Sequence, residues 1–166
     1  MSKISVLMSV YKKENPEYLR ASLESILVQT RVADEILLIE DGPLTQELYQ
    51  VVAEYQKKCD YLHVHAMEQN VQLGRALAKG VELCQYDLIA RMDTDDIAMP
   101  DRLEKEGAYM EAHPEVDVVG GAIREFNDEG TIDRVKNMPK TQEEILEYVK
   151  VRNPLNHMTV MYRKDS

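Results

Sequence analysis

The sequence predicts an α/β fold: a Rossmann-like, mostly parallel sheet with helices on both faces. Three observations carry this. Short β-type runs alternate with helical patterns four times before residue 113, at roughly 25–30 residues per unit, the spacing of right-handed strand–helix–strand crossovers. Three of the four runs are largely apolar along their length, as expected for strands covered on both faces. The polar residues with chemical potential are confined to the corners after the strands, where an open parallel sheet binds its ligands.

In order, Ile4-Ser5-Val6-Leu7-Met8-Ser9-Val10 is the first strand, ending at Tyr11-Lys12-Lys13-Glu14. Asn15-Pro16 supplies an N-cap and a first helical residue, where the missing N–H of proline costs nothing. Leu19, Leu23, Ile26 and Leu27 recur at helical spacing and face the sheet. Residues 35–39 form the second strand and run into Glu40-Asp41-Gly42-Pro43, a forced turn. Leu44, Leu48, Val51, Val52 and Tyr55 mark the next helix. Residues 61–65 alternate as a third strand; His63 and His65 share a face and, lacking a third ligand, read as polar positions of a half-covered strand. A third helix places Leu73, Leu77, Val81 and Cys84 on one face. The fourth strand ends in an acidic corner, and Pro100 falls in the first turn of a helix over about 101–112. Residues 116–126 read as one long strand with a bendable Gly120-Gly121 pair. Residues 127–130 read as a hairpin turn into 131–135, Thr141 and Glu144 as a capping box, and 159–162 as a last strand.

The 166 residues suffice for one domain with a real core. A formal net charge of −10 argues against non-specific nucleic-acid binding, and means that an anionic substrate needs a metal or a few well-placed cations. Cys59 and Cys84 lack metal-type spacing and read as reduced, packed thiols of a cytosolic protein. No apolar run approaches the roughly 20 residues of a membrane span, and the N-terminus lacks the apolar region of a signal peptide.

Met92-Asp93-Thr94-Asp95-Asp96 packs three carboxylates into four positions at a strand end. Such groups repel and are held ionised most easily when a cation shares the site. Hard oxygen donors suit Mg²⁺ or Mn²⁺, which bridge protein carboxylates to substrate phosphates. The bland alternative is an ordinary acidic loop. A calcium hand with Asp93, Asp95 and Glu104 at positions one, three and twelve fails, because Ile97 and Ala98 occupy positions five and six and Pro100 interrupts the loop. No Gly lies within residues 9–16, which excludes P-loop and dinucleotide fingerprints and leaves phosphate neutralisation mainly to metal. Tyr11 could stack on a base and Asp41 could accept from a base N–H or ribose hydroxyls; equally, Tyr11 reads as a packed corner aromatic and Asp41 as an Asx-turn before Gly42. A haloacid-type phosphatase would carry its Asp-x-Asp on the first strand, whereas here it follows the fourth.

Residues 4–11, 35–42, Asn70-Val71-Gln72-Leu73-Gly74-Arg75-Ala76-Leu77 and 91–103 resemble, in order and over nearly the whole chain, family-two glycosyltransferases of the GT-A fold, more narrowly the bacterial enzymes of capsule, exopolysaccharide and O-antigen assembly. The most specific piece is residues 92–96 followed by Pro100-Asp101-Arg102-Leu103. The resemblance implies a nucleotide-sugar donor, usually a UDP-sugar, a divalent metal (Mn²⁺ or Mg²⁺) and inversion at the anomeric carbon. It implies Ser9 and Tyr11 at the base pocket, Asp41 at the uracil, Asp93 and Asp95 at the ribose and diphosphate, and the metal on Asp95 or Asp96. Arg75 would border the nucleotide, though a surface helix Arg reads it equally well. The implied acceptor is a saccharide or lipid-linked saccharide. The implied location is cytoplasmic, with the full-length enzyme touching the inner face of the plasma membrane only peripherally. Similar enzymes deprotonate the acceptor with an Asp beyond the metal motif, often in a Glu-Asp pair. The matching region would follow residues 158–163, so the catalytic base is expected beyond Ser166; Asp165 lies too close to the last strand to substitute. Asn156-His157 resembles a position near the acceptor side. The expectation is a single nucleotide-sugar-binding domain over 1–166, truncated before the base and the acceptor region and weakly active or inactive alone. The rival expectation is a non-catalytic nucleotide-binding or assembly module.

Overall fold

The computed structural model describes residues 1–127 and 133–165. Its first strand, β1 (Ile4–Val10), is almost wholly buried. The corner after it is closed by the Asn15 side chain, which accepts from the Glu17 N–H and opens α1 (Pro16–Leu27) with proline in the first turn. The unit then repeats. After β2 (Glu35–Glu40), Thr45 caps α2 (Gln46–Lys58) through the Leu48 N–H; β3 (Leu62–Ala66), α3 (Leu73–Leu83), β4 (Leu88–Arg91) and α4 (Arg102–Ala112) follow. Beyond α4 come β5 (Val118–Val119), β6 (Ile123–Phe126), β7 (Asp133–Lys136), α5 (Gln142–Tyr148), a 3₁₀ turn (His157–Thr159) and β8 (Met161–Arg163).

Six strands form the main sheet in the order β3-β2-β1-β4-β8-β5. The first four are parallel, and β8 runs antiparallel between β4 and β5. Alternation along β1 divides the core. Ile4, Val6, Met8 and Val10 pack with Leu19, Leu23 and Ile26 of α1, with α2, and with Leu103 and Met110 of α4. Leu7 joins Leu37, Ile39 and Ile89 on the other face, under Ala76 and Cys84. Each such aliphatic side chain, fully buried, contributes about 1.5–3 kcal/mol. The predicted class, a mostly parallel sheet with helices on both faces, is what the chain adopts.

Several local readings change. The buried stripe of α3 runs through Ala76 and Gly80, while Leu73 is exposed and Leu77 and Val81 are half-buried. The helix lies so close to β1 that a Cβ at Gly80 would collide with the Leu7 side chain, so the small residues, not the large ones, take the contact face. Residues 116–126 are not one strand: β5 joins the main sheet, whereas β6 pairs only with β7. Gly121 is pulled away between them, its N–H donating to Thr159 Oγ1 (2.9 Å) and its carbonyl accepting from Asn156 Nδ2 (3.3 Å). Pro100 stands just before α4, where its carbonyl accepts from the Thr30 N–H (2.8 Å). The last strand starts later than read, at Met161, because the 3₁₀ turn takes residues 157–159. Cys59 and Cys84 are free and buried, at the C-caps of α2 and α3. The Thr141–Glu144 capping box is present. Residues 128–130 of the predicted hairpin turn and 131–132 of the strand predicted after it lie outside the described residues; the flanking strands do pair antiparallel. Ser166 likewise lies outside the described residues.

Candidate functional site

In the strand order 3-2-1-4 the chain moves outward from β1 through β2 to β3 and then crosses back past β1 to β4, so the order reverses between β1 and β4, and their carboxyl ends form the switch point where an open parallel sheet offers a ligand crevice. Residues 92–101 descend into it from β4 without regular structure, and α1 holds them in place. Ser22 Oγ donates to the Asp93 carbonyl (2.8 Å), and the Ala98 N–H donates to Ser25 Oγ (3.0 Å). Buried Gln29 donates to the Met99 carbonyl (2.8 Å) and accepts from the Leu103 N–H (3.0 Å). From the far side, Arg102 donates to the Arg91 carbonyl (2.8 Å) and pairs with Glu106. Burial pushes the Glu106 carboxyl up to about 7, against the pull of Arg102.

This scaffold gathers Asp93, Asp95 and Asp96, with one ligand atom from each lying within 4.8 Å of the others; no other such group occurs among the described residues. The three are not equivalent. Arg91 Nη2 donates to Asp93 Oδ1 at 2.6 Å, and His157 Nε2 lies 3.8 Å from Asp93 Oδ2. Neither Asp95 nor Asp96 has a hydrogen-bond or ion-pair partner for its carboxylate among the described residues. Burial, then the Asp93 and Asp95 charges, push Asp96 up to about 6; Arg91 and Arg102 oppose this incompletely. Thr94, buried between the acids, donates to Glu14 Oε2 (2.7 Å) and lies 3.4 Å from the Ser9 carbonyl, which latches the corner after β1 onto the acidic loop.

The other predicted residues line the same edge. Ser9 is half-buried near the end of β1, and Tyr11 is 44% exposed just beyond it. Asp41 is buried beside them, its N–H on the Val10 carbonyl (2.8 Å). Its carboxylate accepts from the Val71 N–H (2.6 Å) and Asn70 Nδ2 (2.9 Å), so it clamps the segment that leads into α3. Arg75 is exposed in the first turn of α3, with no side-chain partner among the described residues; it is near the edge but not drawn into the cluster. Arg91, Glu14 and Asn70 were not read as site residues. Arg91 was legible in principle, because residues i and i+2 of an extended chain share a face and a lone cation two places before Asp93 ends an apolar strand. Two surface concavities lie elsewhere: one of about 520 Å³ beside Ser2, Arg31 and Glu111, the other beside α5.

The sequence model of glycosyl transferase family 2 matches residues 5–166. The chain belongs to this family. Among family relatives, it is 47% identical over 165 residues to an uncharacterized glycosyltransferase of Haemophilus influenzae, covering 99% of this chain and 61% of that protein. It is 45% identical to the amylovoran biosynthesis glycosyltransferase AmsE of Erwinia amylovora, covering 97% and 60%. It is 35% identical to the Escherichia coli UDP-Gal:alpha-D-GlcNAc-diphosphoundecaprenol beta-1,3-galactosyltransferase, covering 98% and 58%. The chain thus spans about three fifths of the length of these relatives. Staphylococcus aureus TarS 1–349, solved with UDP, superposes with a TM-score of 0.73 at 20% identity over 98% of this chain and 47% of that one. A Pyrobaculum calidifontis mannosyltransferase, solved with GDP-Man and Mn²⁺, gives 0.66 at 16% identity over 75% and 36%. These neighbours share the GT-A fold with this family-2 chain.

Proposed function

We propose that this chain is the donor-binding domain of an inverting glycosyltransferase that uses a UDP-sugar with Mn²⁺ or Mg²⁺ to build a bacterial cell-surface polysaccharide such as a capsule or O-antigen. The observation that carries the reading is the convergence of three carboxylates at the crevice beyond β1 and β4. Their hard oxygen donors, and an Asp96 whose ionisation is opposed by burial and then by its two neighbours, fit a divalent cation. Asp95 and Asp96, bare of protein partners, would hold it. Bound there, the cation would neutralise the donor diphosphate and stabilise the UDP leaving group.

The chain's own residues would do the rest. Tyr11 offers an exposed ring for base stacking, with Ser9 at the pocket edge. Asp41 has two carboxylate oxygens with lone pairs beyond those taken by Asn70 and Val71, enough to accept a uracil N–H. Asp93, already oriented, would accept from the ribose, and Arg75 would border the phosphates. Support for UDP comes from TarS, solved with UDP and with UDP-GlcNAc. Support for a lipid-linked acceptor comes from the name of the galactosyltransferase relative. Among the described residues no helix is long and apolar enough to cross a membrane, which is compatible with peripheral attachment at the inner face of the plasma membrane. The acceptor-activating carboxylate would be a group apart from the donor contacts named here.

Calorimetry of UDP with and without Mn²⁺ tests the reading. Mn²⁺-dependent binding is the expected result, and equal weak binding under both conditions would overturn the metal-assisted donor site. Binding with no transfer by any longer form would leave the non-catalytic module as the correct description.

A further inference from the structure

Arg91 is the last residue of β4, opposite Leu7, and its side chain is 6% exposed. Its backbone is fixed on both sides, the N–H on the Val160 carbonyl (2.8 Å) and the carbonyl on Arg102 Nη2 (2.8 Å). From that fixed point one nitrogen reaches Asp93. The other two, Nε and Nη1, are buried with no acceptor, and they are the buried side-chain nitrogens or oxygens in that condition among the described residues. A buried guanidinium with two unpaired N–H groups is costly, and an apolar side chain of similar length would avoid that cost. The Asp93 contact is what this side chain contributes at the position.

The effect falls unequally on the acidic corner. Asp93 is tied at two points, Oδ1 by Arg91 and the carbonyl by Ser22 Oγ, while its Oδ2 lies 3.8 Å from His157 Nε2. Among the described residues Asp95 and Asp96 carry no such ties. Three negative charges, less the one matched by Arg91, leave two, which is the charge of one divalent cation.

We infer that Arg91 is a positioning residue that reserves Asp93 for the donor: it neutralises and orients that carboxylate, keeps it out of the metal's ligand set, and leaves the cation to Asp95 and Asp96. The inference rests on the donor-binding reading above. Without Arg91, Asp93 would swing free and join the other two carboxylates around the metal. Metal alone should then bind more tightly while the nucleotide, deprived of its oriented acceptor, binds less well. A residue that merely supports the fold would weaken both.

The test is calorimetric titration of Mn²⁺ alone, and of UDP at saturating Mn²⁺, on the wild type, Arg91→Met, Asp93→Asn and the double variant, with metal-free melting temperatures alongside. Arg91→Met is expected to bind Mn²⁺ about three- to tenfold more tightly and UDP about tenfold more weakly. In the Asp93→Asn background the same change should move either affinity by less than about twofold, because the carboxylate through which Arg91 acts is gone. Should Arg91→Met not fold, Arg91→Lys keeps the charge and is expected to hold Mn²⁺ affinity near wild type. Parallel losses of both affinities, or effects that simply multiply in the double variant, would overturn the inference, as would a wild type that binds no Mn²⁺. A wild type that binds Mn²⁺ but not UDP would instead overturn the donor reading, and the opposite-sign metal effect of Arg91→Met would still decide the role of Arg91.

Discussion

Asp95 and Asp96 are the two carboxylates of the corner without a protein partner among the described residues, and burial together with the Asp93 and Asp95 charges pushes Asp96 up to about 6. Asp95→Asn and Asp96→Asn are each expected to weaken Mn²⁺-dependent UDP binding by roughly 1–3 kcal/mol, with no fall in metal-free melting temperature, since each removes a repulsive charge. Calorimetry and a melting series would show it; both variants binding like wild type would remove the metal role. Titration gives a second check. Asp96 at about 6 and Glu106 at about 7 have folded pKa values raised above their ordinary ones. Their contribution to stability is therefore full at low pH and lost as pH rises through those values. The metal-free melting temperature should carry a falling component between about pH 4 and 7. Mn²⁺, which favours ionised Asp96, should stabilise more strongly as pH rises through the same window. Asp96→Asn should flatten part of the slope. Asp41 is a harder residue to isolate, because the turn and pocket readings of the sequence meet in one side chain: it clamps Asn70 and Val71 and lies at the edge proposed to bind the base. Asp41→Ala is expected to lower both UDP affinity and melting temperature; a melting loss with unchanged affinity would make it a turn-former alone.

At the scale of elements, the site depends on how α1 and the β2 corner grip their neighbours. Gln29 serves Ser25, Met99 and Leu103 together from a buried position. Gln29→Ala should cost about 1–3 kcal/mol in denaturant unfolding by stranding the Leu103 N–H and Met99 carbonyl, and should reduce Mn²⁺ affinity by loosening the acidic loop. An unchanged unfolding midpoint would show that Gln29, just past the end of α1, does not support the loop. Gly42 is the other point of grip. Its φ is +83°, and a Cβ there would lie 2.5 Å from the Asn70 N. Gly42→Ala should therefore destabilise by about 2 kcal/mol or more and push the 69–71 segment away from Asp41. The caps at Asn15 and Thr141 were readable in sequence because capping is local chemistry; the Thr45 cap of α2 was not among the readings. The buried face of α3 was not, because the close approach of Gly80 to Leu7 is a fact about two elements 73 residues apart (80 − 7).

At the scale of the molecule, the proposed function makes donor binding and sugar transfer separable. The proposed donor contacts all lie within residues 9–96, whereas general-base assistance is worth on the order of 10²–10⁴ in rate and needs a carboxylate placed on the acceptor hydroxyl. The 166-residue chain should bind UDP with Mn²⁺ and transfer sugar poorly, and a polypeptide extended past Ser166 to the relatives' length should recover transfer to a lipid-linked or oligosaccharide acceptor. Efficient turnover by the present chain, abolished by His157→Ala or Asp165→Asn, would place the base within it. By itself the sequence determined the α/β class, the order of the first four strands and helices, and the Asp93–Asp95–Asp96 corner, because periodicity, caps and strand-end chemistry are written within a few residues of each other. Only the tertiary structure decided that β8 inserts antiparallel between β4 and β5, that residues 116–126 divide between two sheets, and that Arg91 neutralises one of the three acids while leaving two bare. Those outcomes depend on which side chains meet across the sheet, and a single chain's order of residues does not record such distances.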